Sequence, residues 1–352
     1  MDLMNKFFTK KNENSFPYVI AEIGVNHEGS LKKAKRLIIE AAKGGADAVK
    51  FQTYKAETLA TKKSPAYWDT KKEKTKSQFK LFKKFDKFEK EHYKKLYDFC
   101  KKKKIDFSST PFDGKSVDFL NPFLKYFKIA SADINNLPLI KKIANKRKPV
   151  IISTGASNIK EIRYAVNFLK KNGCKEIIIM HCILNYPTKD IDANLNMIQD
   201  LKKKFPKNII GYSDHTLPDK NMTNLLTAYL FGAKVIEKHF TDNKKKSGND
   251  HYHSMDFEDL KVFSKIKKKI NMLKGKIKKE PIKSEKISRK NARRSIVIQK
   301  RISKGQKIDA NYIITKRPGT GITADNWYKI IGKKVKRELD ADHILKWSDV
   351  CK

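Results

Sequence analysis

Short apolar, β-branched runs recur along the first 240 residues, and each turns polar at its C-terminal end. They are YVIAEIG (18–24), DAVKFQT (47–53), IDFSST (105–110), YFKIAS (126–131), PVIIST (149–154), EIIIMHC (176–182), NIIGYS (208–213) and KVIEKHF (234–240). Between most of them the apolar positions fall at helical spacing. Examples are LKKAKRLIIEAAKGG (31–45) and IKEIRYAVNFLKKNG (159–173), the second closing on Gly173 in the position of a helix C-cap. Eight strand–helix alternations predict an α/β chain folded as a (β/α)8 TIM barrel. The connection over 54–88 is unusually long and Lys-rich, so it reads as a lid-like loop, and Tyr67, Trp68 and Phe79 argue against pure disorder.

The pattern changes after residue 256. A Lys-rich helix closes a barrel domain spanning 1–275. The polar stretch KIKKEPIKSEKISRKN (276–291) reads as a linker, and 292–352 as a small domain of short β-like pieces and turns. About 60 residues is few for a self-sufficient core, so this tail is expected to lean on another surface.

Buried parallel strands should be apolar throughout. Here the ends carry Glu22; Lys50 and Gln52; Ser109 and Thr110; Lys128, Ser131 and Asp133; Ser153 and Thr154; His181; Ser213, Asp214 and His215; and Glu237 and His239. The C-terminal rim of such a barrel is where active sites lie, which points to an enzyme. Strand alternation puts Lys50 with Gln52 and Glu237 with His239. His215 and His239 end neighbouring strands and suit a divalent metal with open positions. Lys50, Lys128 and the serines at 109, 131, 153 and 213 suit a phosphate. Glu22 and Asp133 are placed for proton transfer or for holding sugar hydroxyls. A Schiff-base aldolase built on Lys50 or Lys128 is the rival chemistry.

The chain has 352 residues and a net charge of +41, which invites a nucleic-acid reading. Only nine of its 79 basic residues are Arg, however, and the Lys are spread over every segment. That spread reads as solvated surface, not a nucleic-acid footprint, although it would concentrate small anionic substrates. No apolar run is long enough for a membrane helix, and MDLMNKFFTKKNENSF at the start lacks the apolar core of a signal peptide. Cys100, Cys174, Cys182 and Cys351 form no C-x-x-C pair, so reduced thiols in a cytoplasmic protein are expected.

With these residues in hand, the sequence resembles the N-acetylneuraminate (sialic acid) synthase family. The motifs are AEIGVNHEG (21–29), KFQTY (50–54), STPFD (109–113), KIASADINN (128–136), STG (153–155), GYSDHT (211–216), EKHFT (237–241) and GNDHYHS (248–254). RRSIV (293–297) and KRPGTGI (316–322) resemble that family's C-terminal antifreeze-like (SAF) domain, a small mostly-β unit. The resemblance implies condensation of phosphoenolpyruvate with an N-acylated mannosamine-type sugar. It implies a divalent metal, manganese, on His215 and His239, and phosphoenolpyruvate contacts from Lys50, Thr110, Lys128, Ser131, Ser153 and Ser213. Glu22, Asp133 and Asp250 would act in catalysis, and Gln52, Tyr186 and Asp250 at the sugar. Arg317 would reach the sugar's N-acyl group from the tail of a partner subunit, which implies a domain-swapped homodimer. The chain departs from the family pattern at Ala132–Asp133, Ile183–Leu184 and Asn249. These positions fall on the sugar side. They leave N-acetylmannosamine, its 6-phosphate and a 2,4-diacetamido-trideoxy hexose leading to legionaminic acid open as acceptors. A sister synthase acting on a sugar phosphate would share the metal and phosphate logic, but the SAF-like tail argues against it.

Overall fold

A computed structural model describes residues 17–71, 73–248 and 250–351; the N-terminal stretch and Asn249 lie outside them. The chain divides between Gly275 and Lys276 into two compact units.

The first unit is built on eight parallel strands. They are β1 (Tyr18–Gly24), β2 (Ala48–Thr53), β3 (Asp106–Pro111), β4 (Phe127–Ile129), β5 (Val150–Ser153), β6 (Ile177–Cys182), β7 (Ile209–Asp214) and β8 (Val235–His239). They pair in the order β3-β2-β1-β8-β7-β6-β5-β4, and the two end strands come into contact, so the sheet curls into a near-closed barrel. Helices run outside it. Ser30 caps the helix Leu31–Gly44, and Asn158 with Glu161 forms a capping box on Ile159–Lys171. That second helix is capped by Asn172, and Gly173 follows one position later in the left-handed region. The outward strand residues, such as Val19, Ala21, Val49 and Ile152, pack against apolar helix faces in one continuous core.

Residues 54–88 are not one loop. They hold the helices Ala56–Leu59 and Gln78–Phe85 and a Pro65–Ser77 bridge, and Trp68 is buried with its indole N–H on the Glu73 carbonyl. Scattered Lys hide this segment's apolar anchors, because most of the described Lys are exposed while Leu81 is buried.

The second unit pairs β9 (Ser295–Ile298) with β10 (Ile313–Lys316) antiparallel, with bridges from 295, 297, 302, 307 and 335 to later segments. It has its own apolar cluster, including Ile296, Ile298, Ile302, Ile313, Ile330, Val335 and Leu345, so about 60 residues do enclose a small core here. Strands this short show little alternation, so the cluster was not legible from periodicity. The helix Lys286–Ala292 occupies the end of the stretch read as a linker and runs into the first residue of the tail.

Candidate active site

The barrel interior is layered. Its lower layer is apolar, from Tyr18, Ile20, Ala48, Tyr126, Ile151, Ile178, Met180 and Val235. One side chain further along most strands it becomes ionic and hydroxylic. Ile20 pairs with Ala48 and Glu22 with Lys50, so two-residue alternation lifts the apolar pair into a charged one. A cleft of about 360 Å³ opens above. It is lined by Glu22, Lys50, Gln52, Thr110, Lys128, Ser131, Asp133, Ser153, Tyr186, Ser213, His215 and His239, all predicted site residues of the barrel except Asp250.

The floor is a buried ion network. Lys50 Nζ lies 2.7 Å from Glu22 Oε2 and 3.6 Å from Glu237 Oε1, and Lys128 Nζ lies 3.4 Å from Glu237 Oε1. Lys50 also donates to Thr110 Oγ1 at 3.1 Å, and Lys128 to Ser153 Oγ at 2.8 Å. Burial alone would lower the Lys50 pKa, but the flanking Glu22 and Glu237 raise it, so this ammonium stays charged. Burial lowers the Lys128 pKa against the pull of Glu237. The Glu22 carboxyl is pushed up by burial despite Lys50, which poises it for proton exchange. Gln52 Nε2 donates to Glu22 Oε1 at 3.0 Å. Gly24, at φ +53°, makes room here: a Cβ would sit 3.2 Å from both Gln52 Nε2 and Glu22 Oε1 and 3.5 Å from Asp250 Oδ2. Ser131 Oγ accepts from Gly155 N–H at 2.9 Å, and Ser213 Oγ donates to Glu237 Oε1 at 3.3 Å. Asp133 stands on the cleft wall, where Asn136 donates to it at 3.1 Å.

Three imidazoles gather at the rim. The ring centroids of His215 and His239 are 5.5 Å apart, and His253 stands 4.8 Å from His239 and 6.3 Å from His215. His215 Nδ1 donates to the Ile183 carbonyl at 2.8 Å, which in the neutral tautomer leaves the lone pair on Nε2; against burial, Cys182 and that carbonyl raise its pKa. His239 and His253 are held well below the usual histidine pKa by burial first, then by nearby cationic groups, His253 and His215 for His239 and His215 and Lys238 for His253, which keeps them in the neutral, ligating form. Asp250, from the loop after β8, lies 3.5 Å from His239 Nδ1, and burial with nearby Glu22 pushes its carboxyl up to about 7. His239 Nδ1 and both ring nitrogens of His253 have no hydrogen-bond partner among the described residues. Neutral imidazoles with free lone pairs beside a carboxylate fit a divalent metal. Tyr186 covers them, its ring 4.2 Å from that of His215.

Some predicted strand-end residues face the other way. Ser109 shares the outward face of Phe51 and bonds Thr53 Oγ1 at 2.6 Å, so it does not line the mouth. Thr154 donates to the Met180 carbonyl, and His181 to the Ala193 carbonyl at 2.8 Å while stacking on Tyr212. The inward residue of β6 is Cys182, whose thiol lies 3.8 Å from His215 Nδ1. Asp214 faces out to a buried Lys238 at 2.5 Å, which also donates to the Thr216 carbonyl at 2.8 Å. This pair fixes the backbone that carries His215. Lys238→Met should therefore destabilise the fold by about 3–5 kcal/mol, because it strands a buried carboxylate. An unchanged urea midpoint would show that the pair contributes nothing. Sequence reading gave no role to Glu237, Cys182 or His253, nor to Tyr67, Gln78 and Phe82, which bring the 54–88 segment over the cleft. His253 stood in the quoted GNDHYHS motif, where a third histidine near two strand-end histidines was the available signal. Arg317 belongs to the second unit. It is exposed after β10, on a turn whose Pro318 carbonyl and Gly321 N–H are both bonded to Ser295 Oγ, at 2.7 and 2.9 Å.

Fold and cleft together define a parallel-barrel enzyme with an ionic, hydroxyl-lined floor and a metal-competent rim. Residues 37–279 match the NeuB family and residues 293–350 the SAF domain. The chain belongs to the NeuB family and is one of its enzymes. It is 41% identical over 333 residues to the N,N'-diacetyllegionaminic acid synthase of Campylobacter jejuni, covering 93% of this chain and 98% of that protein. It is 31% identical over 368 residues to the N-acetylneuraminate-9-phosphate synthase of Drosophila melanogaster, covering 97% of each. The crystal structure of the N-acetylneuraminic acid synthetase of Leptospira borgpetersenii is similar at a TM-score of 0.68 and 36% identity, covering 78% of this chain and 90% of that one.

Proposed function

We propose that this enzyme joins phosphoenolpyruvate to the open-chain aldehyde of an N-acylated amino hexose, adds water, and releases a sialic acid-type nonulosonic acid and inorganic phosphate. The observation that carries this reading is the pair Lys50 and Lys128, buried with hydroxyl partners on one cleft floor directly beneath the imidazoles. Two ammonium groups and the hydroxyls of Thr110, Ser131, Ser153 and Ser213 hold the phosphate and carboxylate of phosphoenolpyruvate. That grip presents C3 to the acceptor's aldehyde carbon. His215 and His239 would hold a divalent metal, manganese, which when bound supplies Lewis-acid polarisation of the acceptor's carbonyl. Glu22, oriented by Gln52, takes the proton of the water that adds at C2 of phosphoenolpyruvate. The C2–O bond then breaks, and phosphate leaves with its bridging oxygen. Asp133, Tyr186 and Asp250 hold sugar hydroxyls, and Arg317 of a partner's tail reaches the N-acyl group in a domain-swapped homodimer. Four thiols without disulfides support a cytoplasmic setting.

Chelation should abolish turnover, and Mn²⁺ or Co²⁺ should restore it. Full activity in excess chelator, with a lysine trapped by borohydride, would favour the Schiff-base route instead. Glu22 and Glu237 keep Lys50 charged, which argues against it as the nucleophile, whereas burial lowers the Lys128 pKa, so Lys128 is the lysine the trapping must examine.

The acceptor reading begins with N-acetylmannosamine and its close relatives. A second acceptor, the 2,4-diacetamido-trideoxy hexose, is favoured by the greater likeness to the diacetyllegionaminic acid synthase. Leu59, Phe82 and Leu184 on the cleft wall also favour it, because they offer a deoxygenated sugar apolar contact and no partners for extra hydroxyls. Phosphate release with phosphoenolpyruvate and Mn²⁺, measured for N-acetylmannosamine, its 6-phosphate and the diacetamido sugar, tests the reading. No release with any of the three would overturn it.

A further inference from the structure

Resting on the reading that His215 and His239 hold a divalent ion at the barrel mouth, we infer that His253 is a further protein ligand to that ion, grouped with His239 beside the Asp250 carboxylate. One ligand atom from each residue lies within 4.8 Å of the others, and all three residues are buried. Bonds of about 2.1 Å allow at most about 4.2 Å between two ligand atoms, so the three side chains would draw inward on binding.

The stronger observation is chemical. The His253 side chain is wholly buried, and neither of its ring nitrogens has a hydrogen-bond partner among the described residues. A buried polar atom left in that state costs free energy, and an apolar ring would fill the same space without the cost. The loop around it is tied down on both sides. Asn26 Nδ2 donates to Ser254 Oγ and to the Phe240 carbonyl, each at 3.0 Å, and Ser254 Oγ donates to the Asp250 carbonyl. Tyr252 OH donates to the Tyr186 carbonyl at 2.8 Å. The loop thus spends its hydrogen bonds on backbone and neighbours and leaves the His253 nitrogens free, facing the ring of His239 edge-on at 4.8 Å. Three imidazoles leave half the positions of a six-coordinate ion open, which suits an ion that must also meet a sugar carbonyl and a water.

The test is metal binding by the full-length protein, without turnover. Metal-free wild type, His239→Ala, His253→Leu and His253→Cys are titrated with Mn²⁺, with the free ion read by electron paramagnetic resonance, and with Co²⁺, read by visible and near-ultraviolet absorption. Wild type should bind, and His253→Leu, which keeps the packing, should weaken Mn²⁺ by about tenfold or more. His253→Cys should add a thiolate-to-cobalt charge-transfer band to the wild-type spectrum, a signature that a merely packed side chain cannot produce. If His239→Ala loses Mn²⁺ while His253→Leu binds as wild type does and His253→Cys shows no new band, His253 is no ligand and the two-histidine site stands. If His253→Leu does not fold, the His253→Cys spectrum decides alone. Wild type that binds neither ion overturns the inference and the metal reading together.

Discussion

Replacing Lys50 with Ala should raise the KM for phosphoenolpyruvate roughly ten- to hundredfold and leave that for the sugar nearly unchanged, the loss expected for one charge-assisted hydrogen bond of ~1.5–3 kcal/mol. Lys50 sits on the cleft floor with Glu22, Glu237 and Thr110 around its ammonium. Removing it takes a positive charge from the phosphate's seat and leaves two buried carboxylates with less compensation. The second effect should also lower stability, by up to about 3–5 kcal/mol. The two effects separate in the double variant Lys50→Ala with Glu22→Gln. Neutralising Glu22 should return much of the stability, read by thermal unfolding, and none of the affinity for phosphoenolpyruvate. An unchanged KM for phosphoenolpyruvate in Lys50→Ala would show that the phosphate lies elsewhere in the barrel.

Much of this site was legible because a strand's two-residue period is rigid. Once Ile20 and Ala48 are assigned inward, Glu22, Lys50 and Gln52 must follow them, and the structure places all three in the cleft. The same rule, applied residue by residue, would have turned Ser109, Thr154 and His181 outward. Reading Ser109 with the phosphate-binding serines, and Thr154 and His181 as polar strand ends, disregards parity. Cys182 escaped notice for the complementary reason: it looks apolar, yet it is the inward residue of β6. Loops obey no such period. Asp250 and His253 reach the rim because Asn26 and Ser254 fold the loop after β8 back onto it, a tertiary arrangement that no local pattern encodes. The 54–88 segment was obscure for a related reason. Its helices are short, and its order rests on a few aromatic contacts, such as Tyr54 on Phe82 with ring centroids 5.4 Å apart.

Arg317→Ala should raise the sugar's KM by a comparable factor, roughly ten- to hundredfold, while leaving metal binding and the fold intact. The turn that carries it is built to hold its shape. Ser295 bonds both sides of it, and a Cβ at Gly321 would come within 2.5 Å of Ile344 Cγ2 and the Leu345 carbonyl, so the turn packs directly on the tail's own core. The guanidinium itself makes no hydrogen bond among the described residues and is exposed, which is a poor use of an Arg on a rigid turn unless something else meets it. In the domain-swapped dimer proposed above, that partner is the sugar in the other subunit's barrel. Mixing decides this. A subunit carrying Arg317→Ala is combined, by denaturation and refolding, with one carrying His215→Ala, each nearly inactive alone. If each tail serves the other barrel, a mixed dimer has one site with both defects and one with neither. Random pairing then gives about a quarter of all sites intact. If each tail serves its own barrel, every site in every dimer carries one defect, and the mixture stays as inactive as its parts.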